Sequence, residues 1–210
     1  MRRVCGVVCM VLGAALLAGA LMLLLWNRAE ADRAEELSKA VVPMLDAAIS
    51  ERKKQKVMAS VEPEASTEWL PPVEQTMTEV EIDGHSYIGY LSIPSRDLEL
   101  PVMSQWSDSK LKIAPCRFSG STMEENLVVV GHNYRRHFRP IHQLQPGDEV
   151  LFTDMDGNVT AYQVIITDVV SPDSAEEVAS GFFDLALVTC TYGGKTRLVV
   201  YCNAFEKEAY

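Results

Sequence analysis

Five cysteines occur among the 210 residues, and no two of them form a CxxC pair. Cys5 and Cys9 fall in an apolar N-terminal run, which leaves Cys116, Cys190 and Cys202, an odd and widely spaced set. That spacing argues against a structural zinc site and against a disulfide-dense scaffold. Positive charge is also scarce where a folded domain could form. Up to Thr76 the chain carries 9 basic and 10 acidic residues, and beyond it 10 basic and 19 acidic, so most of the net charge of -10 lies in the second part. Nucleic-acid binding relies on clustered Lys and Arg that release counterions, so an acidic domain speaks against a nucleic-acid partner. Its one compact basic cluster, Arg135, Arg136 and Arg139, is too small for that role. Internal repeats are absent as well.

A further absence is informative: residues 4–26 contain no charge. As a helix rising about 1.5 Å per residue, this run is roughly 34 Å long, enough to cross a bilayer core. It is longer than the apolar stretch of a cleaved signal peptide, about 7 to 15 residues, and its one small-x-small triplet, Ala18-Gly19-Ala20, is followed by more apolar chain. An uncleaved signal anchor over 1–27 is therefore expected, with Trp26 at an interface. Arg2 and Arg3 precede the run while Arg28, Arg33 and Lys39 follow it, so charge alone does not orient it.

Residues 28–58 are rich in Ala, Glu, Lys and Leu, and Pro43 interrupts them, which predicts two short helices or one kinked helix. Residues 59–76 bring Pro63, Pro71 and Pro72 among Glu, Ser and Thr and lack a core-forming period, so a linker or wrapping segment is expected. The chain thus divides into an anchor (1–27), a helical stalk with a Pro/Glu-rich linker (28–76), and a folded domain (77–210). Within the domain, short apolar runs at 86–93, 98–103, 127–130, 149–153, 159–169, 185–190 and 196–202 read as strands. Asp156-Gly157 and Gly193-Gly194 supply hairpin turns, and two short helices fit near 138–144 and 174–179. Many strands and few helices over about 130 residues predict a mainly β closed barrel or sandwich.

A hairpin centred on Gly193-Gly194 places Cys190 directly opposite Arg197, on one face. An adjacent guanidinium lowers a thiol's pKa and supplies donors to a developing oxyanion, although a surface Arg beside an ordinary thiol has the same spacing. On the other face Leu185, Leu187 and Thr189 oppose Cys202, Val200 and Leu198, which makes Cys202 an inert buried thiol. Cys116 reads as a small packed residue. Of the four histidines, His85 follows a turn, and His137 and His142 flank a short helix and are expected on its surface. His132 follows the apolar strand and Gly131, so it emerges at a strand end. A Cys and a His from separate strands suffice for acyl transfer through a thioester.

These residues resemble a known family. Val-Val-Val-Gly-His132-Asn, then Leu-Val-Thr189-Cys190 and Arg197 seven residues on, are similar to the His, Cys and Arg motifs of sortases, the cysteine transpeptidases of Gram-positive surfaces. Ile88-Gly89-Tyr90-Leu91-Ser92-Ile93-Pro94 and Leu100-Pro101-Val102 resemble the opening strands of that fold, and the likeness covers about 86–205. One departure is visible, Ala186 where the family has Thr.

The resemblance implies a closed eight-stranded β-barrel with one or two short helices. It implies Cys190 as the nucleophile on an LPxTG-like signal, His132 as acid and base, Arg197 as orienter and oxyanion donor, and Thr189 as oxyanion support through hydroxyl or amide. Implied partners are secreted proteins with a C-terminal sorting signal and an amine acceptor, such as a lipid-linked wall precursor or a pilin lysine. It also implies a cytoplasmic N-terminus and an extracellular barrel. No apolar segment follows Tyr201, and the short 191–196 connection is similar to class B or class D-like members. No cofactor is required; calcium binds some relatives, and Glu124, Glu125, Asp173, Glu176 and Glu177 are the acidic loop residues that would supply ligands, the alternative being a solvated acidic surface. Two other functions fit the same residues: a Cys-His wall peptidase that uses water, and a non-enzymatic anchored binding module.

Overall fold

The structure is a computed structural model that describes residues 2–59, 76–180 and 182–206. The linker expected around Pro63, Pro71 and Pro72 lies outside the described residues.

Helix α1 runs without a break over Arg2–Ala59. Of the two expectations for this stretch, two helices separated at Pro43 is not met: Pro43 lies inside one continuous helix, because a proline there removes only its own N–H and crowds one carbonyl, and packing on both sides holds the segment. Val41, Val42, Leu45 and Ile49 are buried, and three of them join Tyr87, Met103, Ala114, Cys116 and Met155 in one apolar cluster. The second half of α1 is thus built into the fold. From Met10 to Trp26 the large apolar side chains of the same helix are exposed.

Nine strands follow, all from short alternating or fully apolar runs: β1 (Val80–Ile82), β2 (His85–Ile93), β3 (Leu98–Met103), β4 (Cys116–Ser119), β5 (Leu127–Gly131), β6 (Glu149–Asp154), β7 (Val159–Val170), β8 (Leu185–Cys190) and β9 (Arg197–Ala204). Their order is β1-β2-β3-β4-β5-β8-β9-β7-β6, and β6 returns to β2, so eight strands close a barrel as the sequence led us to expect. β1 is the ninth; it pairs with residues 85–87 of β2, and β6 takes 89–92. At the changeover Gly89 has φ +148°, and a Cβ there would lie 2.1 Å from the Thr153 carbonyl oxygen, so closure requires glycine.

Inside the barrel Leu91, Val102, Val129, Phe152, Leu187 and Val200 belong to the main core. Outside it, Val128, Ala186 and Val199 are buried by the β7–β8 connection, which carries α3 (Ala175–Val178). A short helix α2 (Asp108–Leu111), capped by the Ser107 hydroxyl, links β3 to β4. A 3₁₀ turn over Arg139–Gln143 occupies the place of the other expected helix.

Candidate active site

β5 and β8 are parallel neighbours in the register Gly131↔Thr189. His132 and Cys190 each follow by one residue, so they leave adjacent strand ends on the face that already carries Val130 and Val188. Cys190 in turn pairs with Arg197 across the β8–β9 hairpin, the register expected from a turn centred on the two glycines. Thr191 N–H donates to the Thr196 carbonyl at 3.1 Å and extends the ladder, while Gly193 and Gly194 take φ +88° and +71°. His132, Cys190 and Arg197 all line one cavity of about 440 Å³. Its floor and walls are apolar: Val128, Val130 and Val188 from the sheet, Trp106 and Phe118 on one side, Val170 and Val178 on the other.

Each polar group is held by identifiable contacts. Arg197 Nη1 donates to the carbonyls of Gly194 (3.1 Å) and Thr196 (3.2 Å), which fixes one arm of the guanidinium on its own hairpin. Cys190 is a free, half-buried thiol. Burial pushes the His132 pKa below its ordinary value; Glu30 and Asp108 pull it upward and Lys112 pulls it down. The Tyr134 ring lies 4.9 Å from the His132 ring. Behind the site, Gly131 touches Phe138 so closely that a Cβ would sit 2.7 Å from that ring. The Thr189 hydroxyl donates to the Gly131 carbonyl at 2.8 Å and is buried, so of the two groups expected to support an oxyanion, hydroxyl or amide, the hydroxyl has a partner inside the barrel. It straps together the strands that carry His132 and Cys190, and its proton is committed there.

Three further placements differ from expectation or escape it. His137 is buried, at 1% exposure, rather than on a helix surface; burial and the neighbouring His132 push its pKa down to about 4, against a smaller opposing effect from the Ile113 backbone. The bulky loop folds inward because Phe138 fills the space beside Gly131 and carries its neighbour with it. Arg139 donates to the Asn133 carbonyl at 3.3 Å and stands 5.9 Å over the Tyr192 ring, so it joins the His132 loop to the Cys190 hairpin. Glu30, from α1, pairs with Lys112 at 3.4 Å close to His132. Neither role has a local sequence signal, because both are set by contacts distant along the chain. Cys116 and Cys202 are fully buried, and burial pushes both thiols up to about 12, which leaves them unreactive. Among the described residues, which include the side chains of Glu124, Glu125, Asp173 and Glu177, no group of three or more His, Cys, Asp or Glu is placed to hold a metal ion.

Comparison with known proteins agrees with this geometry. Residues 91–205 match the family model described as Sortase domain. The chain is 33% identical over 123 residues to sortase A of Bacillus anthracis, an alignment covering 52% of this chain and 54% of that protein, so it spans about half the length of this curated relative. Among solved structures, sortase C of Streptococcus pneumoniae superposes with a TM-score of 0.56 at 26% identity, covering 81% of this chain and 99% of that one. Sortase C of Clostridium perfringens gives 0.52 at 26% identity, covering 79% and 90%. With the family model spanning more than half the chain and a thiol, an imidazole and a guanidinium lining one cleft on the expected barrel, the chain belongs to the sortase family.

Proposed function

We propose that this protein is a membrane-anchored cysteine transpeptidase that cleaves an LPxTG-like sorting signal and transfers the clipped protein to an amine acceptor of the cell wall. The observation that carries the reading is the convergence of His132, Cys190 and Arg197 on one apolar-floored cavity at the ends of adjacent strands. The valine floor suits the apolar side chains of such a signal.

In the first half-reaction Cys190 Sγ passes its proton to His132 as it bonds to the scissile carbonyl carbon. The developing oxyanion is met by the arm of Arg197 not held by the hairpin. The C–N bond breaks as His132 delivers a proton to the leaving amine, and a thioester remains. In the second, the acceptor nitrogen attacks the thioester carbon, His132 takes its proton, and the Cys190 sulfur departs. Thr189 acts from behind by keeping the two strands in register.

The same reading divides the chain into an anchor over 1–27, a segment 28–76 that includes the docked part of α1, and a catalytic barrel over 77–210. The apolar half of α1 is long and exposed enough to cross a membrane; an enzyme that acts on secreted proteins and wall precursors needs its barrel outside, so this reading puts the N-terminus in the cytoplasm. For the Streptococcus pneumoniae relative, pilin substrate specificity is described; a pilin lysine and a lipid-linked wall amine are the two acceptors we put forward here. The relatives compared carry class A and class C names, while the short 191–196 connection is the basis for placing this chain near class B or class D-like members.

The test incubates the protein with peptides carrying LPxTG-like or NPxTx-like signals, with and without an amine, and identifies products by mass. Joined product and a Cys190 thioester, both lost in Cys190→Ala, are expected. Cleavage without joining in the presence of amine would make the protein a hydrolase, and no Cys190-dependent adduct with any signal would overturn the enzyme reading.

A further inference from the structure

The contacts between α1 and the barrel occur in a definite order along the helix. Glu30 pairs with Lys112 at 3.4 Å, Glu35 with Arg136 at 3.4 Å, and Ser38 donates to the Ile113 carbonyl at 3.5 Å. Farther up, Arg52 pairs with Asp156 at 3.6 Å, and Lys53 donates to the Gly157 carbonyl at 2.9 Å. The helix is continuous from the apolar run through all of these contacts, so its axis is a ruler. Glu30 lies about 6 Å beyond Trp26, whereas Lys53 lies roughly 40 Å beyond it. A typical tilt of about 20° shortens these heights by only a few per cent. Two ends of the barrel are thereby distinguished: the end with α2 and the His132 loop is low on the helix, and the β6–β7 hairpin is high.

The low end differs in chemistry from the rest of an acidic domain. It carries Lys110, Lys112, Arg135 and Arg136 beside Asp108; Lys112 and Arg136 are paired with Glu30 and Glu35 of α1, while Lys110 and the exposed Arg135 are in no ion pair among the described residues. Trp106, at 48% exposure, stands beside α2 on the rim of the cleft that holds His132 and Cys190. Basic residues with an exposed indole suit a negatively charged bilayer surface, where each Lys or Arg close to the headgroups contributes to binding.

We propose that the rim formed by Trp106, α2 and the His132 loop rests on the anionic headgroup layer, so that the cleft opens at the membrane surface and receives its acceptor from there. This inference rests on the anchored reading above and adds to it an orientation and a lipid contact. It favours an amine acceptor carried on a lipid, which diffuses in the plane where the cleft opens.

The experiment uses the full chain reconstituted in vesicles of phosphatidylcholine, with or without phosphatidylglycerol, containing a lipid with a nitroxide on its headgroup. In Trp26→Phe/Trp69→Phe the remaining tryptophan is Trp106. In a companion, Trp106→Phe and Val159→Trp are added, so the reporter lies next to the β6–β7 hairpin at the high end. Trp106 is expected to lose the larger part of its emission, most strongly with phosphatidylglycerol, while the reporter at 159 keeps its own. Lys110→Glu/Arg135→Glu is expected to reduce Trp106 quenching in the anionic vesicles; unchanged quenching in that variant would overturn the basic face as the contact. Chain that floats with the vesicles but shows equal or no quenching at the two positions would overturn the orientation and leave the anchor standing. Chain that does not float with vesicles would overturn the anchored reading, and this inference with it.

Discussion

At the scale of single residues, Arg197 and His137 show how environment assigns chemistry. Arg197 donates through one nitrogen to two carbonyls of its own hairpin, a use of geometry that a compact ammonium does not reproduce. Arg197→Lys is therefore expected to lose most of its transpeptidation turnover while keeping its folded far-UV spectrum; turnover near that of the native chain would remove the oxyanion role. His137 has the opposite character, a buried imidazole without a side-chain partner, met only by the Ile113 backbone. Its pKa is pushed from 6.5 to about 4, mainly by burial, with repulsion from His132 adding to the effect. In the unfolded chain the ring takes up a proton near pH 6.5, whereas in the folded chain it does so only near pH 4. Stability thus falls as pH falls through that window, by about 3 kcal/mol in all, and is fully regained above it. His137→Leu removes this titration. Urea unfolding from pH 7.5 to pH 4 should show the variant gaining on the native chain by about that amount, and parallel pH curves would show that His137 is not the cause. Only one of the two is written in local sequence: the hairpin register and the motif mark Arg197, while burial of His137 follows from how Phe138 packs.

Elements were legible to the extent that their signal is local. The strand runs at 98–103 and 185–190 match β3 and β8 at both ends, and the others are within two residues, because apolar alternation and glycine turns act over a few residues. β1 and β4 were not read. Val80–Ile82 is three residues long and exists by pairing with β2, and Cys116–Ser119 holds one parallel bridge to β3 beside its pairing with β5. Both are defined by partners distant in sequence. The Pro43 break failed for the same reason, since contacts with the barrel outweigh propensity over so short a stretch. The element that matters most for the site is the turn from β5 into the His132 loop, where Gly131 meets Phe138. Phe138 is fully buried and has no room to retreat. Gly131→Ala is expected to destabilise the fold by about 1 to 3 kcal/mol and to lower turnover more than a comparable core truncation would, because the displaced segment carries His132. The check is a comparison of turnover at matched folded fraction with Val150→Ala, a buried barrel position away from the cleft. Equal losses would mean that Gly131 serves packing alone.

At the scale of the molecule, the question is whether the described helix is a tether or a part of the fold. Sequence composition suggested a stalk, and the barrel was expected to begin near Met77. The buried face of α1 argues otherwise, because Val41, Leu45 and Ile49 close an apolar cluster whose remaining members, Tyr87, Met103, Ala114, Cys116 and Met155, belong to the barrel. Full burial of a Val, Leu or Ile side chain contributes about 1.5 to 3 kcal/mol, so this face contributes several kcal/mol, a large share of the 5 to 15 kcal/mol typical of a domain. Of the five polar contacts between helix and barrel, the three ion pairs and the Lys53 hydrogen bond lie at partly or fully exposed positions and add little; the fifth, from buried Ser38 to the Ile113 carbonyl, is long at 3.5 Å. A chain starting at residue 28 should then unfold at a clearly higher urea concentration than one starting at residue 76. Leu45→Ala in the longer chain should fall between them, at a cost of about 2 to 5 kcal/mol. Cys116 reports the same event chemically. Its thiol is fully buried against this helix, with its pKa pushed up to about 12, so it should resist a soluble thiol reagent in the longer chain and react readily in the shorter one. The expected order of Cys116 labelling is therefore slowest for the longer chain, faster for Leu45→Ala and fastest for the chain from residue 76. Equal urea midpoints and equal Cys116 labelling for the two chains would return the helix to the status of a tether and remove the ruler by which the cleft is placed at the membrane.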